Sequence, residues 1–208
     1  YIPTFERDKG QNRRYLREYF ELRKRVFCDQ HGWVKANEDG TETDYIDESY
    51  NVYILYLDEE SNTVLGGVRL APSTGNTLLH SVWSDMLPEP DDFRSPNIWE
   101  ATRFCVDEAG DGGRSGNFVN KVCLALILAV LDFSAQNGIS FIIAVCELRL
   151  IDMFSAFKGE PEIVSTKIES DGCEIACVIW STEEKFRRSI KWARPFLGGS
   201  EPMSIQAA

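Results

Sequence analysis

The sequence holds only two histidines, His31 and His80, among its 208 residues, and no Cys-x-x-Cys pair. Zinc centres are built from closely spaced Cys and His, so no metal site is expected. No Gly-x-Ser-x-Gly occurs, and two histidines leave few bases for serine hydrolysis. Cys28 and His31 make a conceivable nucleophile and base, but such spacing at a helix end more often has no catalytic meaning. Basic charge is also short, with 22 Lys+Arg against 33 Asp+Glu and a net charge of −11. That balance argues against nucleic acid as the main partner and against a general attraction to anionic membranes. The longest apolar run, "VCLALILAVL", is about half the length a membrane span needs, so no membrane span is expected. No signal-peptide pattern is visible, although the chain begins without Met, and a cytoplasmic setting is expected.

What is present suits a folded enzyme-sized chain. Hydrophobic residues make up 43% and aromatics 12%, and no linker divides the sequence, so a single domain over 1–208 is expected, with a loose tail at about 196–208. The six cysteines lie mostly in apolar runs, which fits buried free thiols in a reducing compartment. Helical spacing of Leu16, Tyr19, Phe20, Arg23, Val26 and Phe27 predicts an amphipathic helix over 12–30. "VYILYLDEESNTVLGGVRLAP" reads as two strands around a polar turn, and "NIWEATRFCVD" as a further strand. The strongest helix is expected at about 117–137, followed by the strand "ISFIIAVCE", the helix "LRLIDMFSAF", the strand "CEIACVIW" and a polar helix at about 182–194. "LLHSVWSDML" is ambiguous between a short strand and a helical turn. This order indicates an α/β sandwich with a mixed sheet.

The loop "DEAGDGGRSGN" before the long helix has glycines that could cradle phosphate, but Asp107 and Asp111 would repel a pyrophosphate, so a plain turn is favoured. More informative are charges set in apolar context. Asp44 and Asp47 sit in "TDYIDE", Arg69 ends "VLGGVRL", and Glu100 and Arg103 interrupt "IWEATRFCV". On a regular strand, positions 100 and 103 face opposite sides unless a bulge intervenes. Singly, each reads as a salt bridge or a turn residue. Together they suggest a polar cleft, because buried charges persist only when paired.

With Arg23, Phe27 and Trp33 ahead of them, these residues make the sequence resemble the acyl-homoserine lactone synthases, the LuxI-type autoinducer synthases. The resemblance runs through about residues 12–150 and includes "LRKRVF", "GGVRLAPST" and "IWEATRFCVD". It implies a single-domain GNAT-like α-β-α sandwich with a mixed, V-shaped central sheet. It also implies an acyltransferase reaction on S-adenosylmethionine (SAM) and an acyl thioester (acyl-CoA or an acylated carrier protein), as substrates, with no further cofactor. Glu100 is the candidate general base, Asp44 and Asp47 orient Arg69 and the other arginines, and Arg23 or Arg103 meets the SAM carboxylate. Phe27 and Trp33 are expected against the adenine and the sulfonium, Trp83 and Thr102 are expected among the substrate-binding residues, and Phe104 and Ala144 in the apolar layer that takes the acyl chain.

Two departures from the family pattern bear on specificity. Trp83 stands where the family usually has Phe, and Ala144 stands where members favouring 3-oxo chains carry Thr, so a 3-oxo chain is disfavoured. An acidic chain with Asp152 and Ala156 in the expected docking helix makes acyl-CoA a contender against acyl carrier protein, although "KFRRSIKWAR" is basic enough to meet either. The rivals are a GNAT-type N-acyltransferase acting on another amine, and a non-catalytic homologue that binds SAM or a signal.

Overall fold

The computed structural model describes residues 9–58, 60–107, 116–148, 150–151, 161–183 and 203–206. The expected glycine loop at 108–115, most of the helix "LRLIDMFSAF", and the polar helix from 184 onward lie outside the described residues. The elements run α1 (Lys9–Arg23), β1 (Val52–Leu57), β2 (Val64–Pro72), β3 (Ile98–Val106), α2 (Gly116–Gln136), β4 (Phe141–Glu147), β5 (Glu162–Ile168), β6 (Glu174–Ser181) and β7 (Met203–Gln206). Hydrogen bonding orders the strands β5-β6-β4-β3-β2-β1-β7. The sheet is mixed, since β3 and β4 are parallel while β4–β6, β5–β6 and β1–β7 are antiparallel.

By compactness the chain divides into two units, one of residues 1–69, 103–129 and 195–208, the other of 70–102 and 130–194. In the first unit, α1 buries Tyr15, Tyr19 and Leu22, an i, i+4, i+7 stripe that packs with Tyr53, Leu55, Val64 and Cys105. The glycine pair of β2 sets how closely the helices approach. A methyl group on Gly67 would come 2.6 Å from the Tyr19 ring, and one on Gly66 would come 2.9 Å from Val122 of α2. Successive strand residues point to opposite faces, so this pair seats one helix on each side of β2.

The expected helix over 12–30 is two structures. Regular α-helix ends at Arg23, and Lys24–Gln30 continues as a π-helical turn closed by Gly32 at φ +66°. Such turns are rare and concentrate at functional sites. In the second unit, Leu79, Met86 and Leu87 pack with Ile143, Ile175 and Cys177, while Ala144, Ile151, Ala176 and Val178 form a separate cluster. "LLHSVWSDML" contains no strand, only turns and a short 3-10 helix at Ser84–Met86.

Two strands escape the sequence pattern. β5 is an outer strand with mostly exposed or half-buried residues, so it has no apolar alternation to read. The tail expected to be loose supplies β7, which pairs Met203–Gln206 with Leu55–Val52 and covers an otherwise open edge. All six cysteines are free thiols, and burial pushes Cys105 up to about 12.

Candidate active site

The first unit gathers three guanidiniums and three carboxylates into a balanced network: Arg23, Arg69 and Arg103 with Glu42, Asp44 and Asp47. A short 3-10 helix at Tyr45–Glu48 places two of the acids. Asp44 caps it by accepting the Ile46 N–H at 3.0 Å, and Asp47 reaches back to accept the Asp44 N–H at 2.8 Å. Each acid then meets an arginine fork. Arg23 donates Nη1 and Nη2 to the two oxygens of Asp47, both at 2.9 Å, and Arg69 donates to both oxygens of Asp44 at 2.6 and 3.0 Å. Burial alone would raise the Asp47 carboxyl, but the Arg23 and Arg69 guanidiniums hold it well below the usual carboxylate range. The same acid accepts the Tyr53 hydroxyl at 2.7 Å, and burial with that charge raises the phenol.

Arg23 and Arg103, the two arginines expected as alternatives for a substrate carboxylate, are placed differently, and Arg23 is the enclosed one. Its side chain is fully enclosed, with Nε on Glu42 at 2.6 Å, both Nη atoms on Asp47, and the Tyr19 and Phe20 rings 5.6 and 5.2 Å from its guanidinium carbon. Arg103 is placed differently. Its Nε and Nη2 engage Glu42, and Nη2 also meets Asp44 at 2.8 Å, but Nη1 has no partner among the described residues. Glu42 is the member that sequence reasoning missed. It bridges Arg23 and Arg103 and is almost wholly buried, and its only signal was an acid among many in "NEDGTETDYIDE".

Arg103 adopts φ +55°, a left-handed conformation costly for a non-glycine residue, and its carbonyl accepts the Tyr19 hydroxyl at 2.7 Å. Burial along β3 alternates through Glu100 and Thr102 and then slips to Cys105. Beside Arg103 runs a column of groups. The Arg103 guanidinium carbon stands 5.6 Å from the Phe27 ring, Phe27 stacks on Trp33 at 6.0 Å, and Trp33 stacks on His31 at 4.2 Å. Phe27 is buried, whereas Trp33 is 49% exposed. His31, considered in the sequence only as a base for Cys28, pairs with Trp33.

In the second unit, Glu100 is 1% exposed and its carboxylate is gripped by a turn of the chain. Oε2 accepts the Leu78 N–H at 3.0 Å and Oε1 the Leu79 N–H at 2.6 Å. Thr102 is buried on β3, Trp83 packs against the Leu79–Ile143 cluster, and Ala144 lies buried on β4 opposite Val178 of β6. Phe104, in the first unit, is half-buried. Among the described residues no group of three or more His, Cys, Asp or Glu is arranged to hold a metal ion. Nor is any described helix long and apolar enough to cross a membrane.

Residues 8–175 match a protein-family model described as autoinducer synthase. Among curated proteins, the chain is 32% identical over 151 residues to an acyl-homoserine-lactone synthase of Rhizobium etli, covering 72% of this chain and 69% of that one. It is 31% identical over 137 residues to the synthase of Aeromonas salmonicida, covering 66% and 65%. Among solved structures, a CoA-dependent acyl-homoserine lactone synthase with SAM and isopentyl-CoA superposes with a TM-score of 0.79 at 22% identity, over 95% of this chain and 89% of that one. A protein from Lactobacillus plantarum named as an N-acetyltransferase gives a TM-score of 0.54 at 15% identity over 85% of this chain and 94% of that one, a likeness of fold alone.

Proposed function

This chain belongs to the autoinducer synthase family, and we propose that it joins SAM to an acyl thioester to make an N-acyl-L-homoserine lactone. The observation that carries this reading is the extent of the match, since residues 8–175 include every expected site residue from Arg23 to Ala144. In the first step the SAM amine attacks the thioester carbonyl carbon, forming an amide and expelling the thiol. In the second, a SAM carboxylate oxygen attacks the γ-carbon, and the carbon–sulfur bond breaks to release methylthioadenosine. No redox partner is needed, because both steps are substitutions.

The SAM ammonium must lose a proton before attack, and Glu100 is the base in this reading. Two backbone N–H groups, from Leu78 and Leu79, fix the orientation of its carboxylate. Arg103 meets the SAM carboxylate, since it is the cluster arginine whose Nη1 is unengaged among the described residues. Arg23, Arg69, Asp44 and Asp47 act behind it by holding Arg103 and Glu42 in place. Phe27 and Trp33 supply faces for the adenine and the sulfonium. Trp33 already carries His31 on one face, so a purine stacking there displaces the imidazole.

Trp83, Thr102, Phe104 and Ala144 are substrate-binding residues in this reading, and the apolar Ala144 offers no hydrogen bond to a 3-oxo group. The thioester comes from acyl-CoA or an acylated carrier protein, with no further cofactor, and these substrates place the reaction in the cytoplasm. Mass spectrometry of lactones from cells expressing the chain, beside cells expressing Glu100→Gln, tests the reading. An N-acyl-homoserine lactone lacking a 3-oxo group, lost in the variant, is expected. A different acylated amine would support an N-acyltransferase instead, and no product would support a binding protein.

A further inference from the structure

The turn that grips Glu100 is itself anchored by a pair of side chains outside the expected site. Thr77 directly precedes the two residues whose N–H groups hold the carboxylate, and it is 2% exposed. Its hydroxyl oxygen lies 2.6 Å from Nδ1 of His80 and also accepts the His80 backbone N–H at 3.2 Å. The Ser81 hydroxyl closes the same turn by donating to the Thr77 carbonyl at 2.6 Å.

The direction of these bonds fixes the state of the ring. Nε2 of His80 lies 2.9 Å from the Asp92 carbonyl oxygen, which can only accept, so Nε2 carries a proton. In the neutral ring Nδ1 is then an acceptor, and it takes the Thr77 hydroxyl proton. Burial lowers the affinity of His80 for a second proton, as does Arg94, against the opposing pull of the Asp92 carbonyl and Asp91. Hydrogen bonds thus tie the Asp92 carbonyl, the imidazole, the Thr77 hydroxyl and the His80 backbone together, bracketing the two residues whose N–H groups hold Glu100.

We propose that Thr77 and His80 are positioning residues for the reaction, holding the Leu78 and Leu79 N–H groups on Glu100 so that its carboxylate keeps the orientation needed to take the substrate's proton. This rests on the reading of Glu100 as the base. The hydroxyl is the joint of the arrangement, because it donates to the ring and accepts from the His80 backbone. Valine is nearly isosteric with threonine but can do neither. Serine can do both.

The test compares kcat and the KM for SAM in Thr77→Val, Thr77→Ser, Glu100→Gln and the Thr77→Val/Glu100→Gln double variant. Thr77→Val is expected to lower kcat about tenfold with little change in KM, and Thr77→Ser to retain most activity. The double variant is expected to be no slower than Glu100→Gln alone, because Thr77 acts through that carboxylate. Wild-type turnover in Thr77→Val, equal loss in Thr77→Ser, or losses that multiply in the double variant would each overturn the inference. Full activity in Glu100→Gln would instead overturn the reading of the base, a result separable from any effect at Thr77. Should Thr77→Val fail to fold, His80→Gln replaces it in the same cycle, since glutamine keeps a donor but loses the ring acceptor facing Thr77.

Discussion

Arg23 and Asp47 meet through two parallel N–H···O bonds of 2.9 Å, with the arginine side chain wholly enclosed. A lysine can fill the charge but not the fork, and it cannot reach Glu42 with a second rigid donor. Removing one partner of a buried pair leaves the other uncompensated, which costs about 3–5 kcal/mol. Arg23→Lys is therefore expected to lower unfolding free energy by about 3 kcal/mol, read from the urea midpoint. A loss below about 1 kcal/mol would mean that the network tolerates a point charge.

The same carboxylate makes the fold sensitive to acid. The folded-state affinity of Asp47 for a proton is depressed below that of the unfolded chain. Its stabilising contribution is therefore present above about pH 4, the unfolded range, and is lost as pH falls toward the folded value. Urea midpoints measured from neutral pH downward should fall at the acid end. In Asp47→Asn the whole curve should sit lower and its acid slope should flatten. Parallel curves would assign the acid sensitivity to other groups.

His31 and a purine compete for the same face of Trp33 in this account. His31→Ala is expected to lower the KM for SAM by roughly two- to tenfold, because the binding-competent state no longer has to displace a ring. Trp33→Ala is expected to raise it. If His31→Ala leaves KM unchanged while Trp33→Ala raises it, the adenine does not use that face.

Much of this site was legible as residue types, and less of it as geometry. Phe27, Trp33, Asp44, Asp47, Arg69 and Arg103 could be picked out because charges and rings in apolar context stand out in a linear reading. The partner of each could not, since Glu42 lies in an acidic loop where no periodicity separates a buried carboxylate from a solvated one. The family resemblance offers Arg23 or Arg103 for the SAM carboxylate, and nothing in the linear sequence separates the two; the three engaged nitrogens of the enclosed Arg23 are visible only in the fold. The long helix and the buried strands carried strong apolar patterns and lie close to their expected places, whereas β5 and β7 carry too little.

Ala144 offers a test of acyl selection. Its methyl group is buried opposite Val178, so threonine at this position adds a hydroxyl in a packed region at a stability cost of about 1–3 kcal/mol. Ala144→Thr is expected to shift the ratio of 3-oxo to unsubstituted acyl chains toward 3-oxo in competition assays. An unchanged ratio would remove this residue from the acyl side.

The most direct test of the central claim follows methylthioadenosine release by the purified chain with SAM and a panel of acyl thioesters, carried on CoA and on a carrier protein. One methylthioadenosine and one homoserine lactone are expected for each thiol freed, with release abolished when either substrate is omitted. Thiol release with an acylated amine but no methylthioadenosine would contradict that claim.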